Sequence, residues 1–335
     1  MDVLIVNDQQ VRALLPMNEC IELMERALGT LAREDALQPL RTAMWQPDRS
    51  GLLGLMPGWL GEPRALGIKV VTVFPGNHGT DLDAHQGVVL LFDTDDGRLL
   101  AVIDATEITA IRTAAVSAVA TRCLAAPGAG DLAILGSGTQ ARSHLEAMLL
   151  VRSITRVRVW SRNHDAARRF ADSASKRHGR DVEPMTTAHN AVRDADIICT
   201  TTAATEPVLA GAWITAGAHV NAVGACMARA RELDTPAVKQ SRLFVDRRES
   251  AMHEAGDFLI PRLEGAVNDA HIVGELGEVL TGRVAGRTVP TDRTLFKSLG
   301  LAVEDLAAAH HVFERARAGN TVLAVPIGGR RREDA

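Results

Sequence analysis

Small residues follow a short apolar run near the middle of the chain, in a pattern that can bind a diphosphate. Gly136, Gly138 and Ala141 match G-x-G-x-x-G/A directly after the apolar run LAIL. The first glycine permits a tight turn, the second lets the backbone approach a phosphate, and the small third residue lets a helix pack closely on the strand. The first amides of that helix, at Thr139 and Gln140, would bind phosphate oxygens. The pattern predicts a dinucleotide-binding loop.

The end of the next predicted strand bears on which dinucleotide is bound. An NAD site usually carries Asp or Glu there, which accepts a hydrogen bond from the ribose 2′-hydroxyl. Here the strand is followed by Ser161 and Arg162. An arginine with a neighbouring hydroxyl can bind a 2′-phosphate, and the alternative is a solvent-facing arginine in a loop. The absence of the acid and the presence of Arg162 favour NADP(H) over NAD(H).

A lysine interrupts an apolar strand in the first part of the chain. Lys69 lies in LGIKVVTVF, where strand alternation turns its side chain away from those of Ile68 and Val70. A lysine inside an apolar strand is costly unless its amine is paired or used in chemistry. The alternative is an edge strand that leaves the amine in water. Lys69 is therefore a candidate for binding a substrate or handling a proton.

Strands and helices alternate around the glycine loop over about 170 residues, as in a doubly wound parallel sheet. Further strands are predicted in TRVRVWS, ADIICTTT, HVNAVGA and RLFVD, and Asn163 can cap the helix after the first of these. We place this Rossmann domain at residues 118–299. The predicted fold class is α/β.

The flanking segments, residues 1–117 and 300–335, have a different pattern. Apart from a helix over residues 17–33, the first of them reads as strands and turns, and the dipeptide Asp96-Gly97 indicates a hairpin. A long helix, ATEITAIRTAAVSAVATRCLA, leads into the Rossmann domain. We expect the Rossmann sheet to be inserted into a second, strand-rich α+β domain that is built from both ends of the chain.

Composition and charge exclude several classes of function. The net charge of −4 gives no basic surplus for nucleic acid, and a small-molecule ligand is expected. The four cysteines form no C-x-x-C pair, and the histidines have no metal-ligand spacing, so we expect a reducing compartment and no metal. Apolar runs such as GVVLLF are far short of a membrane span, and the segment MDVLIVNDQQVRALL shows no secretory signal. A cytoplasmic location is expected.

Five segments in the same order carry a resemblance to a known family. LGIKVV, HQGVVLLFD, TEITAIRTAAVSAVAT, LGSGTQAR and KSLGLAVEDLAAA resemble the ornithine cyclodeaminase/mu-crystallin family, over almost the whole chain. The resemblance implies a homodimer in which the second domain forms the dimer interface and the floor of the substrate site. It also implies action on imines of α-amino acids.

The resemblance also implies roles for individual residues. It places Arg112 where the substrate carboxylate binds, makes Lys69 a substrate-binding or proton-handling residue, and matches Arg41 to a second carboxylate-binding arginine. The alternative for Arg112 is a solvated position on its helix. His85 opens a strand on the substrate side and is expected to line the site. Further cofactor contacts are expected at Thr113, Thr201, Val223, Gly224, Ser298 and Gly300.

One position departs from the cyclodeaminase pattern. Aligned through RELD, Cys226 stands where cyclodeaminases carry an aspartate that acts on the ornithine side chain. A thiol is a poor substitute for that carboxylate. We therefore expect an NADPH-preferring reductase of α-imino acids, such as pyrroline- or piperideine-2-carboxylate, or in reverse an amino-acid dehydrogenase. The alternatives are a lyase (ornithine cyclodeaminase or hydroxyproline dehydratase) and a non-enzymatic binder of NADPH and a small ligand, of the mu-crystallin type.

Overall fold

A computed structural model describes residues 2–77, 80–319 and 322–328 and divides into two compact units. The split unit contains Met1–Arg112 and Leu301–Ala335, and the inserted unit contains Thr113–Gly300. The chain thus changes unit after Arg112 and Gly300, whereas the sequence-based division puts these points after residues 117 and 299. The predicted fold class is confirmed: a doubly wound parallel sheet is inserted into a strand-rich unit.

The elements up to the inserted unit follow the predicted order closely. They are β1 (Asp2–Val6), α1 (Asp8–Leu14), α2 (Met17–Ala32), β2 (Ala36–Leu37), β3 (Thr42–Trp45), β4 (Leu52–Leu60), β5 (Ala65–Val73), a 3₁₀ turn (Pro75–Asn77), β6 (His85–Phe92), β7 (Leu99–Asp104) and α3 (Ala105–Leu124). The predicted hairpin between β6 and β7 is confirmed, because Gly97 has a φ of 74° and the Asp93 amide donates to the Arg98 carbonyl at 2.8 Å. β1 and α1 are elements that the sequence pattern did not reveal.

The inserted unit consists of alternating strands and helices. They are β8 (Asp131–Leu135), α4 (Thr139–Val151), β9 (Arg156–Trp160), α5 (His164–His178), β10 (Glu183–Pro184), α6 (Ala188–Val192), β11 (Ile197–Thr200), a 3₁₀ turn (Gly211–Trp213), β12 (His219–Ala222), α7 (Thr235–Lys239), β13 (Arg242–Val245), α8 (Arg248–Glu254), α9 (Gly256–Leu263), a 3₁₀ turn (Asp269–His271), β14 (Ile272–Glu275), α10 (Leu276–Leu280) and β15 (Thr294–Lys297).

The sheet of the inserted unit has the order β10-β9-β8-β11-β12-β15-β13-β14, and its strands pair in parallel. The chain starts at β8, moves outward on one side to β10 and then crosses to β11 on the other side. The order therefore reverses between β8 and β11. In doubly wound sheets, ligands bind at the carboxyl ends of the strands beside this point.

The chain then returns to the split unit with α11 (Ala302–Gly319) and β16 (Leu323–Pro326). The split unit's sheet has the order β16-β1-β7-β6-β5-β4-β2, with β3 also paired to β4. β1 and β7 are parallel, and the other neighbouring strands are antiparallel. Both ends of the chain therefore complete one sheet, because β16 pairs with β1.

Two glycines let α11 lie close to this sheet. Gly58 of β4 and Gly67 of β5 are opposite each other in the ladder. A Cβ atom at Gly58 would lie 3.1 Å from Ala302 Cβ and 3.2 Å from Leu306 Cδ1. One at Gly67 would collide with the Leu90 carbonyl and lie 2.7 Å from Leu306 Cδ2. The glycine pair therefore leaves room for Leu306 of α11 against β4 and β5.

No helix among the described residues combines the length and apolar character that a membrane crossing requires.

Candidate active site: a buried ion-pair cluster and a cofactor loop junction

Lys69 is buried in the middle of the split unit's sheet. β5 is flanked by β4 and β6, and Lys69 is 4% exposed, so the alternative of an edge strand with its amine in water does not apply. Its Nζ lies 2.8 Å from Oδ2 of Asp305 on α11, and it is 3.5 Å from the Thr109 hydroxyl of α3. The strand therefore points its amine at two helices.

Arg112 reaches the same carboxylate from α3. Its Nε donates to Asp305 Oδ1 at 2.9 Å, and its Nη1 donates to Glu304 Oε2 at 2.9 Å. Arg112 is 3% exposed, so it is not the solvated helix residue of the alternative interpretation. Charge-assisted bonds of this length are strong and fix the plane of the guanidinium. The structure thus brings Lys69 and Arg112 together through Asp305.

The local charges and burial perturb the ionisation of this cluster. Burial lowers the pKa of Lys69 from its ordinary value of 10.5 to about 8; the Asp305 charge opposes this shift, while Arg112 and Arg41 add to it. For Asp305, burial acts to raise the pKa, but the charges of Arg112 and Lys69 outweigh it and hold the pKa below its usual value. An amine with a pKa near 8 can both hold and release a proton near neutral pH.

Sequence reasoning missed both carboxylates of the cluster. Glu304 and Asp305 are fully buried in the first turn of α11, and Glu304 also accepts from the Leu301 amide at 3.1 Å. A signal was present, since two adjacent acids interrupt an apolar stretch in LAVEDLAAA. Such acids must be paired when they are buried. Their partners, however, lie far away in the sequence.

The other predicted substrate residues differ in their relation to the cluster. Arg41 directly precedes β3, is half-buried and lies close enough to lower the pKa of Lys69. His85 pairs with Val73 in the ladder, whereas Lys69 pairs with Val89. Val73, the partner of His85, is four residues from Lys69 on β5, which corresponds to about 13 Å along the strand. The structure therefore places Arg41 near Lys69, and it leaves His85 exposed at the start of β6.

The glycine loop has the predicted form in the inserted unit. Gly136 has a φ of 126°, and a Cβ atom there would lie 2.6 Å from the Thr201 hydroxyl. Any side chain would therefore be strained and would collide with the loop after β11. Gly138 is the N-cap of α4 and provides no side-chain acceptor for the first-turn amides, which include those of Thr139 and Gln140. This backbone fits a diphosphate.

The residues after β9 lie between the end of that strand and the start of α5. Asn163 Oδ1 accepts from the Ala166 amide at 3.1 Å and caps α5, as predicted. Ser161 is half-buried and Arg162 is exposed. Both side chains follow the carboxyl end of β9, which is next to the strand that carries the glycine loop.

Glu232 joins the two loops that follow β11 and β12, and sequence reasoning missed it. Its carboxylate accepts from the Thr200 hydroxyl at 2.8 Å, from the Thr202 amide and hydroxyl at 2.7 Å each, and from the Gly224 amide at 2.6 Å. A Cβ atom at Gly224 would collide with the Thr202 carbonyl and with Glu232. The expected cofactor residues Thr201, Val223 and Gly224 thus all lie in loops that one buried carboxylate holds.

Buried acids fix the neighbouring segments in the same way. Asp257 accepts from the Glu232 and Leu233 amides, and its Oδ2 lies 3.0 Å from Lys297 Nζ. Asp246 accepts from the Leu299 and Gly300 amides at 2.5 and 2.8 Å. The expected cofactor residues Ser298 and Gly300 therefore stand on an anchored turn, in which Gly300 has a φ of 80°.

Two more predicted positions have distinct environments. Thr113 is buried at the first position of the inserted unit, on α3. Cys226 is exposed in the loop after β12, and its Sγ donates to the Val223 carbonyl at 3.4 Å. Within the described residues, no cluster of three His, Cys, Asp or Glu side chains has the geometry of a metal site.

The chain matches proteins that reduce imines. Ketimine reductase mu-crystallin of Mus musculus is 44% identical over 294 residues, which are 87% of this chain and 90% of that protein. The Delta(1)-pyrroline-2-carboxylate reductase of Bacillus cereus is 36% identical over 315 residues, which are 94% and 97% of the two chains. The solved Delta(1)-pyrroline-2-carboxylate reductase of Thermococcus litoralis, in complex with NADH and L-proline, has a TM-score of 0.94 and 38% identity, with 96% of this chain and 100% of that chain covered.

The family model agrees with these relatives and with the order of the motifs. The model of the ornithine cyclodeaminase/mu-crystallin family matches residues 1–320. This range includes the buried cluster, the glycine loop and the loops that Glu232 joins. The chain belongs to the ornithine cyclodeaminase/mu-crystallin family.

Proposed function

We propose that this protein is an NADPH-preferring reductase of α-imino acids, and that cyclic ketimines such as pyrroline- or piperideine-2-carboxylate are its substrates. The observation that carries the proposal is the buried pairing of Lys69 with Asp305 at 2.8 Å beside Arg112. Reduction of a carbon–nitrogen double bond next to a carboxylate needs a cation for the carboxylate and an acid for the nitrogen. Arg112 and Lys69 supply these two groups.

Each residue of the cluster has a separate task in this mechanism. Glu304 and Asp305 fix the orientation of the Arg112 guanidinium, which binds the substrate carboxylate. The Lys69 ammonium donates its proton toward the imine nitrogen, which makes the imine carbon more electrophilic. Arg41 provides a second positive charge for the carboxylate. A reduced nicotinamide, when bound, would supply the hydride.

The residues of the inserted unit support nicotinamide adenine dinucleotide phosphate as the proposed cofactor. Gly136, Gly138 and the first amides of α4 would bind the diphosphate, and Ser161 with Arg162 would bind a 2′-phosphate. Thr201, Val223, Gly224, Ser298 and Gly300 would line the remainder of the cofactor site, with Thr113 at the start of the unit. The position after β9 lacks the acid that a ribose 2′-hydroxyl prefers. These features support a preference for NADPH.

The alternatives have weaker support from the chain. A cyclodeaminase needs a carboxylate at the position of Cys226, and an exposed thiol stands there. A hydroxyproline dehydratase is the other lyase that the family would allow. A passive binder does not require a buried amine that is paired with a carboxylate inside a sheet. We keep a cytoplasmic location and a homodimer as parts of the proposal.

The proposal is tested by mixing the purified protein with NADPH or NADH and a panel of imino acids. The panel contains pyrroline-2-carboxylate, piperideine-2-carboxylate and α-keto acids with ammonia or methylamine, and the readout is cofactor absorbance at 340 nm. We expect the cyclic ketimines to be reduced fastest, with NADPH. No oxidation of either cofactor with any imino acid would overturn the proposed function.

A further inference from the structure

We propose that Asp305 is a positioning residue for this reduction: its two carboxylate oxygens hold the Lys69 amine and the Arg112 guanidinium at fixed places and keep the amine protonated. The inference rests on the proposed function for its kinetic consequences. Its structural part concerns the split unit alone and is testable without any turnover.

The carboxylate divides its two oxygens between the two cations. Oδ2 lies 2.8 Å from Lys69 Nζ, and Oδ1 accepts from Arg112 Nε at 2.9 Å. Because a carboxylate is rigid and planar, the distance between these two positive groups is set by its geometry. A substrate that binds to Arg112 by its carboxylate and to Lys69 by its nitrogen needs such a fixed distance.

The fold holds Asp305 where it can do this. Its neighbour Leu306 fills the space over Gly58 and Gly67. Gly67 is two residues before Lys69 on β5, so both face the same side of the strand, toward α11. The contact between helix and sheet thus places Asp305 opposite the amine of Lys69.

The charges around Lys69 explain why its protonated form needs Asp305. The charged groups with the largest effects on the amine are Asp305, Arg112 and Arg41, which belong to α11, to α3 and to the segment before β3. Glu304 balances Arg112 through a separate bond at 2.9 Å. If Asp305 were neutral, Lys69 would be buried beside two arginines without the charged carboxylate that contacts its amine. Burial and like charges both favour the neutral amine.

Glu304 provides a matched control on the same helix. It is a fully buried carboxylate like Asp305 and binds the same arginine, but it is not among the main charges that act on Lys69. Asp305→Asn and Glu304→Gln therefore each remove one buried charge next to Arg112. The two variants should differ in their effect on the pKa of the Lys69 amine.

The amine can be observed directly, because the chain contains only the lysines Lys69, Lys176, Lys239 and Lys297. We would label lysine with ¹³C at Cε, titrate the parent and both variants by NMR, and assign Lys69 with a Lys69→Met variant. We expect Asp305→Asn to lower the Lys69 pKa by about 1 to 3 from its parent value, and Glu304→Gln to move it far less. The high-pH fall of kcat/KM should move to lower pH with it.

Three outcomes would overturn the inference. One is a Lys69 titration that is the same in Asp305→Asn as in the parent. Another is an equal shift in both variants, which would mean a general effect of removing charge. If Asp305→Asn does not fold, Asp305→Glu is used in its place. We expect this variant to have a near-parental Lys69 pKa, because the charge is kept. Its kcat should be lower, because the longer side chain displaces the amine. An Asp305→Glu enzyme with parental kcat would then overturn the positioning role.

The NMR titration also separates this inference from the proposed function. If the parent reduces no imino acid but the Lys69 pKa still falls in Asp305→Asn, the proposed function fails and the role of Asp305 in holding the proton stands. If the parent reduces imino acids but Lys69 titrates in Asp305→Asn as it does in the parent, the proposed function stands and the role of Asp305 fails.

Discussion

The carboxylate of Glu232 accepts a 2.6 Å hydrogen bond from the Gly224 amide and so closes the loop that carries Cys226. The same carboxylate binds Thr200 and Thr202 at the end of β11. Thr201, between them, is the residue that Gly136 of the glycine loop approaches most closely. One buried acid therefore fixes two backbone segments at the carboxyl ends of the parallel strands, and the glycine loop lies against one of them.

Glu232→Gln should weaken cofactor binding in a folded protein. The glutamine amide keeps the shape but replaces one acceptor oxygen by a donor, which would face hydroxyl or amide donors. We expect the Kd of NADPH to rise by roughly tenfold, which corresponds to the loss of about one charged hydrogen bond. The measurement is a fluorescence titration with NADPH, together with thermal unfolding.

The control for this prediction is Glu264→Gln, which removes the charge of an exposed glutamate bound to Arg231 and Thr235. It should leave the NADPH Kd at the parental value. A Glu232→Gln protein that is less stable but binds NADPH normally would show that Glu232 is structural alone.

The fold could largely be predicted from the sequence because its signals are local. Alternation in LGIKVVTVF gave the direction of the Lys69 side chain, and the G-x-G-x-x-A pattern gave the turn at Gly136. The partners of these residues could not be predicted, because ion pairs join residues distant in sequence. Asp305 meets Lys69 across the contact between α11 and β5, where Leu306 packs beside Gly58 and Gly67, which is a property of the packed sheet and helix.

The limits of the two units, like the ion pairs, could not be predicted from local sequence signals. α3 runs through the change of unit at Arg112 without a break, so no turn signal marks the division. β1 was missed since its pairing with β7 and β16 depends on strands from both ends of the split unit. Glu232 was passed over because a single acid in RELD has no pattern that marks it as buried.

Arg162→Ala should weaken NADPH binding far more than NADH binding. The variant loses a charge-assisted contact to the 2′-phosphate, which NADH lacks, so we expect the NADPH Kd to rise by about 10- to 100-fold. Arg169→Ala, an exposed arginine of α5, is the control for a general loss of positive charge. Parallel titrations with both cofactors check the prediction, and equal losses for NADPH and NADH would contradict it.

Lys69 and Arg112 should affect different kinetic constants. Lys69→Ala removes the proton donor and should lower kcat by about two to four orders of magnitude. Lys69→Arg should restore little, because a guanidinium does not release its proton at working pH. NADPH affinity should change little, since Lys69 belongs to the split unit and the glycine loop to the inserted unit.

Arg112→Lys is the informative change at the second residue, because Arg112→Ala would leave Glu304 and Asp305 buried with less compensation. The lysine keeps the charge but loses the planar fork, so KM for the imino acid should rise more than kcat falls. Steady-state kinetics over imino acid concentration measure both constants. Lys69→Ala reducing the imine at the parental rate would overturn the assignment of Lys69 as the acid.

The exposed side of β3 should form a contact between two copies of the chain. Met44 and Trp45 are 65% and 39% exposed on this strand, which pairs on one side with β4. Exposed apolar strands of this kind usually need a partner. We expect a dimer by light scattering at micromolar concentration, and a larger monomer fraction for Met44→Glu than for Leu263→Glu, which changes an exposed leucine of α9. A monomeric parent would refute the prediction.

Cys226 should be dispensable for reduction and should not support ornithine cyclisation. Its thiol is exposed and makes a weak bond to the Val223 carbonyl, so Cys226→Ala removes little from the loop that Glu232 closes. The reduction needs Lys69 and Arg112, which that change leaves intact, so kcat/KM for the cyclic ketimine should stay within about threefold of the parent.

Ornithine tests the other half of this prediction. Its distal ammonium needs a carboxylate partner, and a neutral thiol offers neither the charge nor a strong acceptor. We therefore expect no proline and no ammonia from ornithine with the parent, with Cys226→Ala or with the near-isosteric Cys226→Ser, by amino-acid chromatography and an ammonia assay. Sustained proline formation by the parent would mean that the lost carboxylate is replaced by another group in the same loop, and the lyase would then become the better assignment.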